Sequence, residues 1–188
     1  MPYVTVGQAV NASRAAWATR SVAESEIRKS AAAPMTTSYD IFLSHSYEDA
    51  EVIAGVKILI EAEGLRVYVD WIEDAQADRS QVTAKTADML RQRMNHCRFL
   101  LFASSRASAS SKWMPWELGY FDGMRRERVG ILPIVQSEGG SFTGQEYLGL
   151  YPTWQIIDFD IGRHIGRLTA PNQGETLKQA AQRAYITS

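Results

Sequence analysis

Glu117 is the residue in this 188-residue chain whose setting most suggests chemistry. It stands four positions after Trp113 and shortly before Tyr120 and Phe121. On a helix those four residues share one face. A carboxylate in an aromatic stripe is costly to bury without a partner. Near a helix N-terminus, however, the dipole favours its charged form. Two readings follow. Either Glu117 is structural and paired with an arginine, or it is a catalytic carboxylate beside a tryptophan that stacks on a flat ring. Spacing alone leaves both open.

The other chemistry-bearing residue types are scattered. His45, His96 and His164 lack the spacing of metal ligands, so no metal is expected. His45 ends an apolar run, where it either faces a site or bonds a loop carbonyl. His96 opens a strand and reads as structural. Glu73, Asp74 and Asp78 read as a solvated loop rather than a cation site. No glycine-rich loop runs into Lys-Ser or Lys-Thr, and no G-x-G-x-x-G follows a strand. No G-x-S-x-G marks a hydrolase nucleophile. The single cysteine, Cys97, excludes an internal disulfide and a cysteine-rich zinc site.

The elements that must position these groups alternate between strand and helix. Tyr39 to His45 is a short apolar strand, and Glu48 to Glu63 carries Val52, Val56, Leu59 and Ile60 at helical spacing. Gly64 closes that helix. Leu65 to Asp70 is a second strand, and Trp71 to Asp78 a polar loop. Val82, Ala87, Leu90 and Met94 mark another helix, and Cys97 to Ser104 a buried strand. Residues 104–111 hold five serines and read as a loop able to cap the helix Lys112 to Met124. Pro115 is tolerated there only near the helix start. Val129 to Val135 is a fourth strand, Gln136 to Tyr151 a glycine-rich excursion, Thr153 to Phe159 a fifth strand and Glu175 to Tyr185 a closing helix. This alternation predicts a parallel sheet covered on both faces. In such sheets ligands bind at the carboxyl ends of the strands. Residues 1–36 read as a helical extension of low amphipathicity, ended by Pro34.

Lysine plus arginine number 20 and aspartate plus glutamate 21, a net charge of -1. No strong field therefore draws nucleic acid or an anionic membrane, and neither is expected as a partner. No stretch of about 18 apolar residues is present, and the N-terminus lacks a secretory pattern. A cytoplasmic location is expected.

Three segments together resemble a bacterial Toll/interleukin-1 receptor (TIR) domain. The first is Tyr39-Asp40-Ile41-Phe42-Leu43-Ser44-His45-Ser46-Tyr47-Glu48-Asp49, similar to the family's opening strand and turn. The second is Val67-Tyr68-Val69-Asp70-Trp71, and the third is Trp113-x-x-x-Glu117. The resemblance spans roughly residues 38–160. It implies an α/β, flavodoxin-like three-layer fold with a five-stranded parallel sheet. The domain reading is an N-terminal helical extension (1–36), a TIR domain (37–160), and a C-terminal loop and closing helix (161–188).

The resemblance also implies a function. Some family members cleave NAD+ at the nicotinamide-ribose bond, using a glutamate at the position of Glu117, and many bacterial ones serve antiphage defence, as in Thoeris systems. NAD+ would be a substrate, with no cofactor. The product would be ADP-ribose or a cyclic or altered ADP-ribose signal, sensed by a downstream effector. Phe42, Ser44, His45, Ser46, Trp71, Arg79 and Trp113 would bind the substrate, with Arg79 or Lys85 near the pyrophosphate. The loop from Trp71 to Ser80 would serve as lid and self-association surface. The alternative is a non-catalytic scaffold that recruits partners by TIR-TIR association.

Overall fold

A computed structural model describes residues 3–16, 34–70, 83–159, 162–170 and 173–183. Five parallel strands make the central sheet: β1 (Val4–Thr5), β2 (Tyr39–Ser44), β3 (Val67–Tyr68), β4 (Cys97–Ser104) and β5 (Val129–Val135). Their spatial order is β1-β5-β4-β2-β3. The helices on its two faces are α1 (Val6–Ala16), α2 (Ala50–Glu61), α3 (Ala84–Asn95) and α4 (Trp113–Met124). A separate antiparallel sheet follows, β6 (Gln155–Phe159), β7 (Gly162–Ala170) and β8 (Gln173–Thr176), and α5 (Leu177–Arg183) comes last. The fold is the flavodoxin-like α/β arrangement anticipated above.

Strand alternation divides the core in two. Ile41, Leu43, Leu101 and Ala103 face one side with Ile53, Val56 and Ile60 of α2. Phe42, Leu100 and Phe102 face the other, against Leu90 and Met94 of α3 and Trp113, Leu118 and Phe121 of α4. Each fully buried aliphatic or aromatic side chain here contributes about 1.5–3 kcal/mol. The period of two also decides where Ser44 points. It shares the face of Phe42, which is the face covered by α4.

The fifth strand differs from expectation. Thr153 makes only a parallel bridge to Ile131, and Gln155–Phe159 then leaves to pair antiparallel with β7. The edge beside Ile134 and Val135 is filled instead by Val4 and Thr5, from the segment expected to be only helical. Pro133 lies where one edge partner hands over to the other. The Ile131 amide donates to the Pro152 carbonyl on that edge, so two residues on the Pro133 nitrogen faces the same way. A missing N–H there leaves no ladder bond unmade.

Residues 161–188 likewise hold more than a loop and a helix. Within them lie two strands, because Arg167 and Glu175 sit opposite each other across β7 and β8 and form an ion pair at 2.9 Å. Arg167 also lies over the buried Trp154 ring. The interleaved glycines and arginines of β7 hide its alternation from a sequence reading. Among smaller differences, β3 is shorter than Leu65 to Asp70, and 3-10 turns form at Tyr47–Asp49 and Ala107–Ser110. Gly64 ends the α2 region with φ of +80°, as a left-handed cap requires.

Candidate functional site

Ser44 ends β2 beside β4, where the strand order reverses, the place at which such sheets open a ligand crevice. Its hydroxyl donates a 2.6 Å hydrogen bond to Glu117 Oε2. Both residues have 0% exposure. Glu117 reaches Ser44 because it lies one turn inside α4. That helix starts after the serine-rich turn, whose Ser111 hydroxyl accepts the Met114 amide. Pro115 sits in the first turn, where its missing N–H has no intrahelical acceptor to lose. Trp113, Glu117, Tyr120 and Phe121 do share a face. Trp113 is buried and meets Trp116 edge-on, with centroids 5.4 Å apart. Trp116 stacks on Tyr120, and the Arg91 guanidinium lies over both rings.

His45 turns inward with 1% of its side chain exposed. Its Nδ1 lies 2.8 Å from the Leu43 carbonyl. A carbonyl only accepts, so Nδ1 carries the hydrogen. Nε2 then faces Asp70 Oδ1 at 3.2 Å, both side chains being almost fully covered. The two groups are close, but Nε2 and Oδ1 do not complete a hydrogen bond.

The remaining candidates divide. Phe42 is core, stacked on Tyr68 with centroids 5.2 Å apart. Ser46 is buried before the Tyr47–Asp49 turn and makes no side-chain cap. Lys85 is exposed at the start of α3. Trp71 and Arg79, with the whole loop from Trp71 to Ser80, lie outside the described residues. Burial pushes the Cys97 thiol far above its ordinary range, so it is no nucleophile. Among the described residues no cluster of histidine, cysteine, aspartate and glutamate is arranged to hold a metal ion.

Sequence reasoning missed two contacts. Asp70, read from the sequence as a strand end, lies two residues beyond β3 and faces His45. Ser105, read as loop, donates a short hydrogen bond to Asp49 and so ties the turn after β4 to the turn after β2. The first contact becomes visible only when the strand pairing is known. Nothing in the sequence signals the second.

Comparison with known proteins extends this picture. The family model described as "TIR domain" matches residues 41–167. "Probable 3' cyclic ADP-D-ribose synthase ThsB'" of Bacillus cereus (strain MSX-D12) is 59% identical over 115 residues, covering 61% of this chain and 59% of that protein. "Putative cyclic ADP-D-ribose synthase TIR2" of Cytobacillus dafuensis is 31% identical over 83 residues, covering 44% of this chain and 22% of that protein. The chain thus spans less than two thirds of the length of either relative.

Proposed function

The chain belongs to the TIR domain family, and on that premise we propose that it cleaves NAD+ at the nicotinamide-ribose bond. The observation that carries this reading is the Ser44–Glu117 pair at the carboxyl end of β2, beside Trp113. The names of the two relatives favour a cyclic ADP-ribose over plain ADP-ribose as product.

The chemistry suits a single carboxylate. Nicotinamide in NAD+ is already cationic, so it departs as a neutral base without a general acid. The ribosyl group left behind passes through an oxocarbenium-like state. An ionised Glu117 stabilises that charge, and the Ser44 hydroxyl holds one carboxylate oxygen so that it need not reorganise. Water at the cation gives ADP-ribose. A nucleophile from the same molecule gives a ring. Glu117 has no exposed surface, so the groups covering it must part before a ribose reaches it. The segment beginning at Trp71 continues directly from Asp70, and we assign it the lid. Self-association through TIR surfaces, a cytoplasmic location and a role in antiphage signalling to an effector belong to the same reading.

The test is to incubate the purified chain with NAD+ and resolve the products by chromatography and mass spectrometry. Nicotinamide and a cyclic ADP-ribose should appear together, and Glu117→Gln should abolish both. No turnover in any assembled state, or a Glu117→Gln variant as active as the parent, leaves the scaffold reading. The full burial of Glu117 is the observation that favours that second reading. It predicts partner capture that survives Glu117→Ala.

A further inference from the structure

We propose that the cleft at the carboxyl ends of β4 and β5 binds the phosphate of a nucleotide, with Arg106 as its cation. The cleft has a volume of about 360 Å³ and is separate from the residues around Glu117. Ser105 and Arg106 enter it from the turn after β4, and Gln136, Ser137, Ser141 and Thr143 from the excursion after β5. Its apolar floor includes Val135 and Phe142. Among the described residues no acidic side chain lines it. Gly140 is held close to the wall, since a Cβ there would lie 3.0 Å from the Ser137 carbonyl.

The lining is rich in donors. The Ser105 hydroxyl is given to Asp49, but the hydroxyls of Ser137, Ser141 and Thr143 and the Gln136 amide can donate, and a guanidinium donates in a fixed fork that matches phosphate oxygens. Arg106 is exposed, and among the described residues it forms no ion pair. Its charge is therefore not spent on a carboxylate. A second cleft, of about 250 Å³, mixes charges instead: Glu63 lines it together with Arg163 and His164, among Val4, Leu59, Ile156 and Ile165.

Position supports the same reading. The cleft lies at the strand ends where parallel sheets take their ligands. Ser105, on its rim, bonds Asp49 in the turn that follows Ser46. The cleft and the Glu117 region are thus joined by a fixed contact. Two sources of phosphate fit: the diphosphate of NAD+ itself, which rests on the function proposed above, or a separate adenine nucleotide, which does not.

ADP is the probe. Titrated calorimetrically into the full chain, it should bind, more weakly as salt rises. Arg106→Ala should weaken binding at least tenfold, and Arg106→Lys should restore part of it. Turnover of NAD+ then separates the sources. A KM raised about tenfold in Arg106→Ala identifies the substrate's own diphosphate, and an unmoved KM with lost ADP binding identifies a separate nucleotide. ADP binding that is absent at millimolar concentration, or equal in parent and Arg106→Ala, overturns the proposal, as does a fall in kcat with ADP binding unchanged. Should the chain bind ADP through Arg106 yet never consume NAD+, the cleft stands and the enzymatic reading falls.

Discussion

Ser44 and Glu117, 73 positions apart in the chain, meet through a 2.6 Å hydrogen bond that is sealed from solvent. One comes from the last residue of a strand and the other from the second turn of a helix crossing it. Sheet parity and helix register must both be right for them to meet. A buried carboxylate needs such donors, because an unpaired buried charge is costly.

Ser44→Ala should therefore reduce NAD+ turnover without unfolding the chain. A hydrogen bond to a charged group contributes about 1.5–3 kcal/mol, which is roughly a tenfold to hundredfold fall in kcat. Steady-state kinetics beside a circular dichroism spectrum is the check. A kcat within about twofold of the parent would remove Ser44 from the mechanism.

The His45–Asp70 pair should show strong coupling in stability. Removing one member of a buried pair costs about 3–5 kcal/mol, because the other is left in a low-dielectric site. His45→Leu alone should be severe, and His45→Leu with Asp70→Leu milder than the sum of the two single changes. Urea unfolding of all four proteins gives the coupling energy, expected to exceed about 1 kcal/mol. Simple additivity would show that the two groups do not interact.

Much of this arrangement was readable from residue types, and the reasons for the remainder are specific. Trp113 and Glu117 were placed on one face by helical spacing alone, and their shared burial follows from it. The resemblance made Phe42 a substrate contact, and parity places it against Tyr68 on the sheet face that α4 covers. His45 read either as facing a site or as bonding a loop carbonyl, and its Nδ1 does lie against the Leu43 carbonyl. Its approach to Asp70, beyond the end of β3, is one that no local pattern reports. The β1 edge strand is two residues long, too short for alternation to register. It forms because β5 offers an unfilled edge there.

Glu63 should make stability depend on pH in the direction opposite to an ordinary carboxylate. Burial raises its pKa, against smaller lowering effects from the Ile165 amide, His164 and Lys178. Its Oε1 accepts the Ile165 amide at 2.7 Å, and its Oε2 is buried without a hydrogen bond. A raised native value means the folded state holds the proton more tightly than the unfolded chain. Stability therefore falls as pH rises from the ordinary carboxylate range through the native value. Glu63→Gln keeps a carbonyl for Ile165 and removes the titration. Its Tm should exceed the parent's at neutral pH, and the gain should shrink towards about pH 4. A gain that is constant across that range would count against the assignment.

Gly55 should act as the dock for the N-terminal segment. A Cβ at this position would lie 1.8 Å from the Ala9 carbonyl oxygen, closer than any real contact. Helices α1 and α2 therefore cross with backbone nearly against backbone, and only glycine permits it. In Gly55→Ala either α1 shifts, with overpacking strain of about 1–3 kcal/mol, or it leaves. Leaving has a further consequence. Val6 opens α1 immediately after Thr5 closes β1, so an undocked helix draws the edge strand with it and bares the edge of β5 beside Ile134 and Val135. Amide hydrogen exchange reads both events. Val6 to Ala16 should exchange faster by at least tenfold, a change of about 1.4 kcal/mol in opening free energy. Val135 should lose protection along with them, while Leu100 and Leu101 in the sheet centre keep theirs. Unaltered protection in α1 together with an unaltered Tm would mean that the close approach at Gly55 does not hold the segment in place.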